Sequence, residues 1–263
     1  MIPTATPSLC CKNAAEAIEF YRKAFGAVVT ERYDDNGKVG HAELNIQGAA
    51  VYLADEYPDY NFVSPKGGPA ASHAVHLLIA NVDELTRQAE AAGAKLERGP
   101  KDEFYGHRVA TLLDPYGHRW TLHTPLQEKH YGARKGFHAV TPYLIFEKGV
   151  EAMEWYVKAM GATEIGRHLD GSGRLMHGEI SVGDSPIMIS EECKDYPGQK
   201  NPKRYGGSPA QLFVYTAGPD AVIARTIEHG AKLVLPIEDR PYGRGGGIED
   251  PFGYTWWINS HKE

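Results

Sequence analysis

The sequence predicts an α+β protein built from four βαβββ modules that are arranged as two similar halves. Three observations support this fold class. The sequence repeats itself once, each half shows two rounds of one strand, one helix and three strands, and the strands outnumber the helices. Because each helix follows one strand, it can cover one face of a curved mixed sheet and leave the other face around a cavity.

The internal repeat is visible in four segments that recur in the same order. The first two pairs are IEFYRKAFGA (18–27) with MEWYVKAMGA (153–162), and GHAELNI (40–46) with HGEISV (177–182). The other two are NVDELTRQAEAAGAKL (81–96) with GPDAVIARTIEHGAKL (218–233), and YGHRVATLLDPYGHRWTL (105–122) with YGRGGGIEDPFGYTWWI (242–258). The repeat divides the chain into two domains, 1–127 and 138–263, and the polar segment 128–137 is interpreted as a linker.

The elements of the first half follow from apolar periodicity. A strand at 5–11 precedes a helix whose apolar residues recur at helical spacing, namely Ala14, Ala17, Ile18, Tyr21 and Phe25. Gly26 suits the helix C-terminus. Strands follow at 28–33, 39–46 and 50–54, and then a second round with a strand at 73–79, a helix at 82–92 and three strands ending near 124. DPYG (114–117) and DPFG (250–253) are interpreted as tight turns, with His118 at an exposed hairpin tip.

Composition excludes several classes of protein. The net charge is −6 and the pI is about 6.1, so no basic surface for nucleic acid or anionic lipid is expected. No apolar run approaches the length of about 18 residues that a membrane helix needs, and the N-terminus does not resemble a secretory signal. Three cysteines make a poor disulfide framework. We therefore expect a cytoplasmic protein.

Each half carries a histidine and a glutamate two positions apart in a predicted strand. These pairs are His41 with Glu43 and His177 with Glu179. Side chains at i and i+2 share one face of a strand, and a histidine beside a carboxylate suits proton transfer. The pairs are therefore candidate catalytic acid–base groups facing a cavity in each half. The alternative is a structural hydrogen bond within the sheet.

The repeated segments resemble the vicinal oxygen chelate superfamily, which includes glyoxalase I, bleomycin-resistance proteins and extradiol dioxygenases. The resemblance rests on FYRKAFGA, GHAEL, AAGAKL and DPYGHRW, and it covers nearly the whole chain. MHGEI, YGHR and DPYGHRW are most similar to the PhnB-like branch. The resemblance implies two paired glyoxalase-like domains with curved sheets. It does not fix the reaction, because the superfamily supports many chemistries on one scaffold.

The resemblance also implies where a metal would bind, because metal-dependent members take His and Glu ligands from the first and last strands of each module. Motif alignment places eight residues there: Thr6, Tyr52, Ala74, Thr121, Thr141, Met188, Gln211 and Trp257. A metal needs several converging nitrogen, oxygen or sulfur donors, and among these residues Gln211 alone offers a potential oxygen ligand. The usual metal site is therefore not expected, and no cofactor is predicted.

A displaced metal site is an alternative. His76 and His123 lie two residues beyond Ala74 and Thr121, so each shares the face of the corresponding ligand position. If their strands are parallel neighbours, the two imidazoles lie side by side, and Glu43 could complete a site for a divalent metal. The other interpretation is that both histidines are cavity or core residues.

Further candidate ligand-binding residues are mainly aromatic: Tyr52, His76, Tyr105, His123, Gln211, Tyr242 and Trp257. The segments 56–72 and 191–209 are rich in Tyr, Pro and Gly, and loops of this length commonly border a site. Tyr57, Tyr60, Phe62, Tyr196 and Tyr205 are their aromatic residues. The spacing of GRGGG (243–247) is not that of a phosphate loop. Its glycines are interpreted as easing a sharply curved strand or as letting a ligand or another backbone come close.

Three functions remain open from the sequence. The first is a metal-independent protein that binds a small organic molecule, as in antibiotic-sequestering relatives. The second is a lyase, isomerase or dioxygenase-type enzyme that uses a displaced metal or the His/Glu pairs. The third is a duplicated scaffold without a ligand. We favour the first, in a pseudo-dimeric monomer or a homodimer, with no nucleic acid or membrane partner.

Overall fold

The computed structural model describes residues 4–65, 72–126, 139–194, 199–204 and 206–260. The linker predicted at 128–137 lies outside these ranges, as do Tyr196 and Tyr205. No helix in the described ranges has the length and apolar character needed to cross a membrane.

Each quarter of the chain forms one βαβββ module, as predicted. The first half contains β1 (Thr4–Cys10), α1 (Ala14–Phe25), β2 (Val28–Asp35), β3 (Lys38–Ile46), β4 (Ala49–Ala54), β5 (His73–Leu78), α2 (Val82–Ala92), β6 (Lys95–Asp102), β7 (His107–Leu113) and β8 (Arg119–Pro125). The second half contains β9 (Val140–Phe146), α3 (Gly149–Trp155), β10 (Thr163–Leu169), β11 (Leu175–Val182), β12 (Ser185–Glu191), β13 (Ala210–Tyr215), α4 (Pro219–Glu228), β14 (Lys232–Arg240), β15 (Gly243–Glu249) and β16 (Thr255–Asn259). Helix α3 continues into one π-helical turn, Tyr156–Met160.

The strands form two eight-stranded mixed sheets, and each sheet combines one module from each half. The strand order of the first sheet is β14-β15-β16-β13-β1-β4-β3-β2, and that of the second is β10-β11-β12-β9-β5-β8-β7-β6. Antiparallel pairs join the halves at the centre, with Ser8 opposite Gln211 in the first sheet and His76 opposite Thr141 in the second. The expectation that each half encloses its own cavity is therefore wrong, because the module pairing crosses the two halves.

The hydrophobic cores, in contrast, largely follow the two halves. One cluster packs α1 and α2 against the strands of the first half and contains Tyr21, Phe25 and Trp120. The other packs α3 and α4 against strands of the second half and contains Tyr156 and Trp256. The two halves thus keep separate cores while their strands complete shared sheets.

Local signals explain where the helices begin and end. The side chain of Asn13 accepts a hydrogen bond from the Glu16 backbone N–H at the start of α1. Gly26 ends that helix at φ 67°, in the left-handed region that favours glycine. Between these two ends, the buried face of α1 packs in one core with Ala42 and Leu44 of β3, which are fully buried.

The two DPxG turns each hold a buried aspartate that ties a helix to the last strand. Asp114 accepts hydrogen bonds from the Tyr21 hydroxyl at 2.7 Å and from Trp120 Nε1 at 3.0 Å. Asp250 accepts the equivalent bonds from Tyr156 at 2.5 Å and Trp256 at 2.9 Å. The repeat has therefore preserved a complete polar network and not merely a turn.

The prediction that His118 lies at an exposed hairpin tip is wrong. His118 is fully buried, and its Nε2 lies 2.9 Å from the Cys10 carbonyl oxygen. Its Nδ1 lies 3.2 Å from Nε2 of His73, and burial lowers the pKa of both imidazoles. The Asp114 carboxylate accepts the His118 backbone N–H, which holds this turn against the ends of β1 and β5.

Candidate functional site

The two His-x-Glu pairs face away from the helices, as their spacing predicts. His41 Nε2 lies 3.3 Å from Glu43 Oε1, and His177 Nε2 lies 3.2 Å from Glu179 Oε1. The alternating residues Ala42, Leu44 and Ile180 are buried in the helix-covered cores. Each sheet therefore presents one such pair on the face opposite its helices.

Aromatic side chains fill this face on the first sheet. The ring of Tyr52 lies 5.0 Å from that of His41 and 5.3 Å from that of Phe213, and the Phe213 ring lies 6.0 Å from Trp257. Trp257 Nε1 donates a hydrogen bond to Gln211 Oε1. The structure thus groups three of the candidate ligand-binding residues, Tyr52, Gln211 and Trp257, and their polar side-chain atoms contact other protein groups.

The same face of the second sheet borders a cavity of about 580 Å³. Strands from both halves line it, with His76 and His123 from the first half and Tyr143 from the second. Tyr105, half-exposed in the β6–β7 connection, lies at its border. The equivalent Tyr242 is 62% exposed in the β14–β15 connection of the first sheet.

Three rings stack on one wall of this cavity. The His76 ring lies 4.8 Å from the His123 ring and 4.9 Å from the Tyr143 ring, with interplanar angles of 27° and 20°. Strands β5 and β8 are parallel neighbours, as the side-by-side arrangement of the histidines requires. Offset stacks of this kind offer flat apolar surface with polar edges.

The two stacked histidines share a hydrogen bond, and both imidazoles have a lowered pKa. His123 Nε2 lies 2.9 Å from His76 Nδ1, so one nitrogen carries the hydrogen and the other accepts it. Burial lowers the pKa of His123 to about 4, with His107 adding to the effect. Burial, followed by the nearby His123 and His177, holds the pKa of His76 well below its usual range.

Tyr143 connects the cavity wall to the second His-x-Glu pair. Its hydroxyl oxygen lies 3.1 Å from His177 Nδ1, and the other nitrogen of His177 faces Glu179. Met188 on β12 is the register partner of Glu179 on β11 and of Tyr143 on β9, so β12 separates the strands of these two residues. At the equivalent positions of the first sheet, Ser8 replaces Tyr143 and Tyr52 replaces Met188. The tyrosine near the first His-x-Glu pair therefore lies on β4, whereas Tyr143 lies on β9.

An ion pair forms another part of the cavity wall. Arg119 Nε and Nη2 donate to the two Glu97 carboxylate oxygens at 2.7 and 3.2 Å. The Arg119 side chain is 8% exposed, so the pair is held out of bulk water. Ala74 also lines the cavity, and it is the register partner of Arg119 on β8 and of Tyr143 on β9.

The donor groups at the implied metal positions do not fit the family's usual metal. The first sheet presents Thr6, Tyr52, Gln211 and Trp257, and the second presents Ala74, Thr121, Thr141 and Met188. These side chains include no carboxylate, imidazole or thiolate.

The alternative site at His76, His123 and Glu43 is not assembled either. The two histidines belong to the second sheet, whereas Glu43 lies on β3 of the first sheet. Across the described ranges, no group of three or more His, Cys, Asp or Glu side chains could hold a metal ion.

Comparison with known proteins agrees with this architecture. The family model described as Glyoxalase/Bleomycin resistance protein/Dioxygenase superfamily matches the chain twice, at residues 4–122 and 145–258. The chain belongs to this superfamily. Each match covers one half of the tandem duplication. The two matches and the two mixed sheets together show the paired glyoxalase-like fold.

Individual superfamily relatives match either one half or the whole chain. The uncharacterized protein Rv0887c of Mycobacterium tuberculosis is 35% identical over 130 residues, covering 48% of this chain and 76% of its own length. The anthracycline biosynthesis protein DnrV of Streptomyces peucetius is 24% identical over 266 residues, covering 95% and 90%. Glyoxalase I from Zea mays has a similar structure, with a TM-score of 0.68, 16% identity and coverage of 98% and 93%.

Sequence reasoning missed Tyr143, Arg119 and Glu97 as residues of the site. Tyr143 lies two positions after Thr141 in TPYLIF, so period-two spacing already puts it on the open face of its strand. Its contact with His177 depends on the order β11-β12-β9, which local patterns do not encode. The Arg119–Glu97 pair joins β8 to β6 across β7, and the spacing of residues within either strand does not indicate this contact.

Proposed function

We propose that this superfamily member binds a small, flat organic molecule in the cavity of the second sheet. The observation that carries the proposal is the stack of His123, His76 and Tyr143 on the wall of a cavity of about 580 Å³. Ligand pockets of such size are typically lined by aromatic groups with a few oriented polar atoms. The Arg119–Glu97 pair and the Tyr143 hydroxyl supply polar atoms here.

The likeness to DnrV supports a flat aromatic ligand. DnrV is named for anthracycline biosynthesis, and anthracyclines are flat fused-ring molecules. The similarity extends over nearly the full length of both chains. Membership of the PhnB-like branch remains a prediction.

Filling the cavity tests the proposal, and the duplication suggests the substitution. Thr121 lines the cavity, and its counterpart in the first sheet is Trp257, so a tryptophan is already accommodated at the equivalent position. We expect Thr121→Trp to weaken binding of a flat aromatic dye about tenfold or more, because the indole would occupy the ligand space. Dye fluorescence or calorimetric titration measures the change.

A control variant carries the same change away from the cavity. Thr163 is exposed on the edge strand β10, and Thr163→Trp should bind the dye as the wild-type protein does. Equal binding by wild type and Thr121→Trp, with both proteins folded, would contradict a site in this cavity.

An enzyme is the second candidate function, and the Tyr143–His177–Glu179 contacts favour it. Such an arrangement suits acid–base chemistry of a lyase or isomerase without a metal.

We expect protein purified without chelators or a histidine tag to hold less than about one metal per ten chains. Stoichiometric metal that is lost in a His76→Ala, His123→Ala double variant would instead support a displaced metal site.

A further inference from the structure

We propose that the ligand site of the second sheet extends out of its cavity along a series of aromatic rings that ends at Phe104, and that the ligand is an elongated, flat molecule with three or more rings in line. This inference rests on the proposed ligand-binding function and names the class of the ligand. It assigns to Phe104 the contact with the outer end of the ligand, which makes Phe104 a specificity-determining residue.

The rings form a continuous series from the cavity wall to the surface. The His107 ring lies 5.8 Å from the ring of His123, the last member of the stack on the cavity wall. The Tyr105 ring lies 6.0 Å from the His107 ring, and the Phe104 ring lies 5.2 Å from the Tyr105 ring. These separations are within the range in which aromatic rings contact one another.

The series follows the cavity face of the sheet and leaves the cavity at Tyr105. His107 lies two residues before Val109 on β7, and Val109 lines the cavity, so period-two geometry places His107 on the same face. Tyr105 also lines the cavity and is 52% exposed, whereas Phe104 is 98% exposed. A flat ligand that is seated on the stack and is longer than the cavity would therefore continue over these outer rings.

A tight turn holds Phe104 and Tyr105 in position. They are the central residues of the turn from Glu103 to Gly106, in which the Gly106 N–H donates to the Glu103 carbonyl oxygen at 3.0 Å and Gly106 has a φ of 84°. The Glu103 carboxylate accepts a hydrogen bond from Arg98 at 2.5 Å, and its side chain is 10% exposed. Because the backbone of the turn is fixed, a ligand would have to order only the side chain of Phe104.

The exposure of Phe104 is better explained by a ligand than by the turn itself. Turns favour Gly, Pro, Asn, Asp and Ser, and a ring in water gains nothing from the hydrophobic effect within the chain. Leu126 adds apolar surface beside the turn, since it is 46% exposed and its N–H donates to the Gly106 carbonyl oxygen at 3.0 Å. Exposed apolar surface that borders a cavity is typical of a binding site.

The first sheet provides an internal comparison in which the series is interrupted. Three of the rings have no aromatic counterpart there, since Phe104, His107 and His123 correspond to Pro241, Arg244 and Asn259. The Arg244 guanidinium is instead paired with the Asp220 carboxylate of α4 at 2.7 Å. Among the described residues, the continuous series of rings therefore accompanies the cavity of the second sheet.

The test compares a short and a long probe on the full chain. The short probe is 2-naphthol, with two fused rings, and the long probe is tetracenequinone, with four rings in line. We expect the wild type to bind both and Phe104→Ser to weaken binding of the long probe about threefold to tenfold, because one aromatic contact is lost. Binding of the short probe should not change, and Phe104→Tyr, which keeps a ring, should bind both probes as the wild type does. Absorbance and fluorescence titrations measure the affinities.

Matched variants separate the outer rings from the cavity. Tyr33→Ser removes an exposed ring on β2 of the first sheet and should leave both affinities unchanged. Thr121→Trp should weaken binding of both probes, because the indole fills the cavity.

Three results overturn the extended site and leave the cavity site standing. In the first, Phe104→Ser changes both affinities equally or neither of them. In the second, the wild type binds 2-naphthol but not tetracenequinone. In the third, sedimentation shows that Phe104→Ser disrupts a dimer of the wild type while probe binding is unchanged, which assigns the ring to a contact between chains. Wild-type protein that binds neither probe contradicts both proposals.

Discussion

Substitutions between equivalent residues explain why one sheet is filled and the other is open. His76, Thr121 and Met188 in the second sheet correspond to Phe213, Trp257 and Tyr52 in the first. The larger aromatic residues contact one another over the first sheet, whereas their counterparts leave room for the cavity. At the scale of single residues, then, side-chain volume distinguishes the aromatic face of the first sheet from the cavity of the second.

The same residue scale gives a prediction for the first His-x-Glu pair. The side chains of His41 and Glu43 are 29% and 26% exposed, so their interaction is partly screened by water. We expect the His41→Ala, Glu43→Ala double variant to lose less than about 1 kcal/mol in the free energy of unfolding. Urea denaturation measures the loss, and a much lower midpoint would show that the pair is primarily structural.

At the scale of elements, local patterns predicted the helices and strands well. The observed helix Val82–Ala92 matches the predicted bounds, and Ala14–Phe25 buries the residues that its apolar periodicity selected. These features depend on neighbours within a few turns of the chain, which is why periodicity detects them. The burial of His118 was not predictable in this way, because it depends on Cys10 and His73 from other strands.

The glycines of β15 allow the close backbone approach that was one of the interpretations of GRGGG. A side chain at Gly246 would lie 2.8 Å from the Leu235 carbonyl oxygen, and one at Gly247 would lie 2.7 Å from the Trp257 ring. The strand therefore needs glycine so that β14 and the indole can approach its backbone. The GRGGG motif thus lets the Trp257 ring pack directly on the β15 backbone at Gly247.

The buried turn of the second half should make stability depend on pH. Burial raises the pKa of Asp250 to about 6, although Tyr156 and Trp256 donate hydrogen bonds to its carboxylate. Because its unfolded value is about 3.9, the folded state binds the proton more tightly. The contribution of Asp250 to stability is therefore fully present below about pH 4 and is lost as the pH rises through about 6.

We predict that the stability of the wild type relative to Asp250→Asn falls by about 2–3 kcal/mol between pH 4 and pH 7. Denaturant unfolding at each pH measures the difference, because an asparagine at this position does not titrate. Asp59→Asn, which changes an exposed carboxylate, is the control and should show a smaller dependence. A constant difference between wild type and Asp250→Asn would contradict the raised pKa.

At the scale of the whole molecule, the sheets connect what the sequence repeat separates. The sequence correctly indicates two halves, four modules and the two duplicated pairs of residues. It does not indicate that β1 pairs with β13 and β5 with β9, because pairing over such distances leaves no local pattern. For this reason the combination of His76 and His123 with Tyr143 was not predictable.

The crossed pairing predicts how the isolated halves will behave. Expressed alone, residues 1–127 would expose the edges of β1 and β5 that β13 and β9 normally cover. We expect this half to self-associate, and a mixture with residues 138–263 to form a one-to-one complex that binds the dye. Light scattering and native mass spectrometry measure the assembly, and two stable folded monomers would contradict the expectation.

Having both modules of each sheet in one polypeptide also changes how the protein can diversify. An assembly of two identical subunits would carry every mutation twice, so a new imidazole on one wall would appear on its symmetry mate. In this chain β9 and β1 are encoded separately, and Tyr143 could arise while Ser8 stayed small. The two sheets of one chain can therefore carry different side chains at equivalent positions, which two identical subunits cannot.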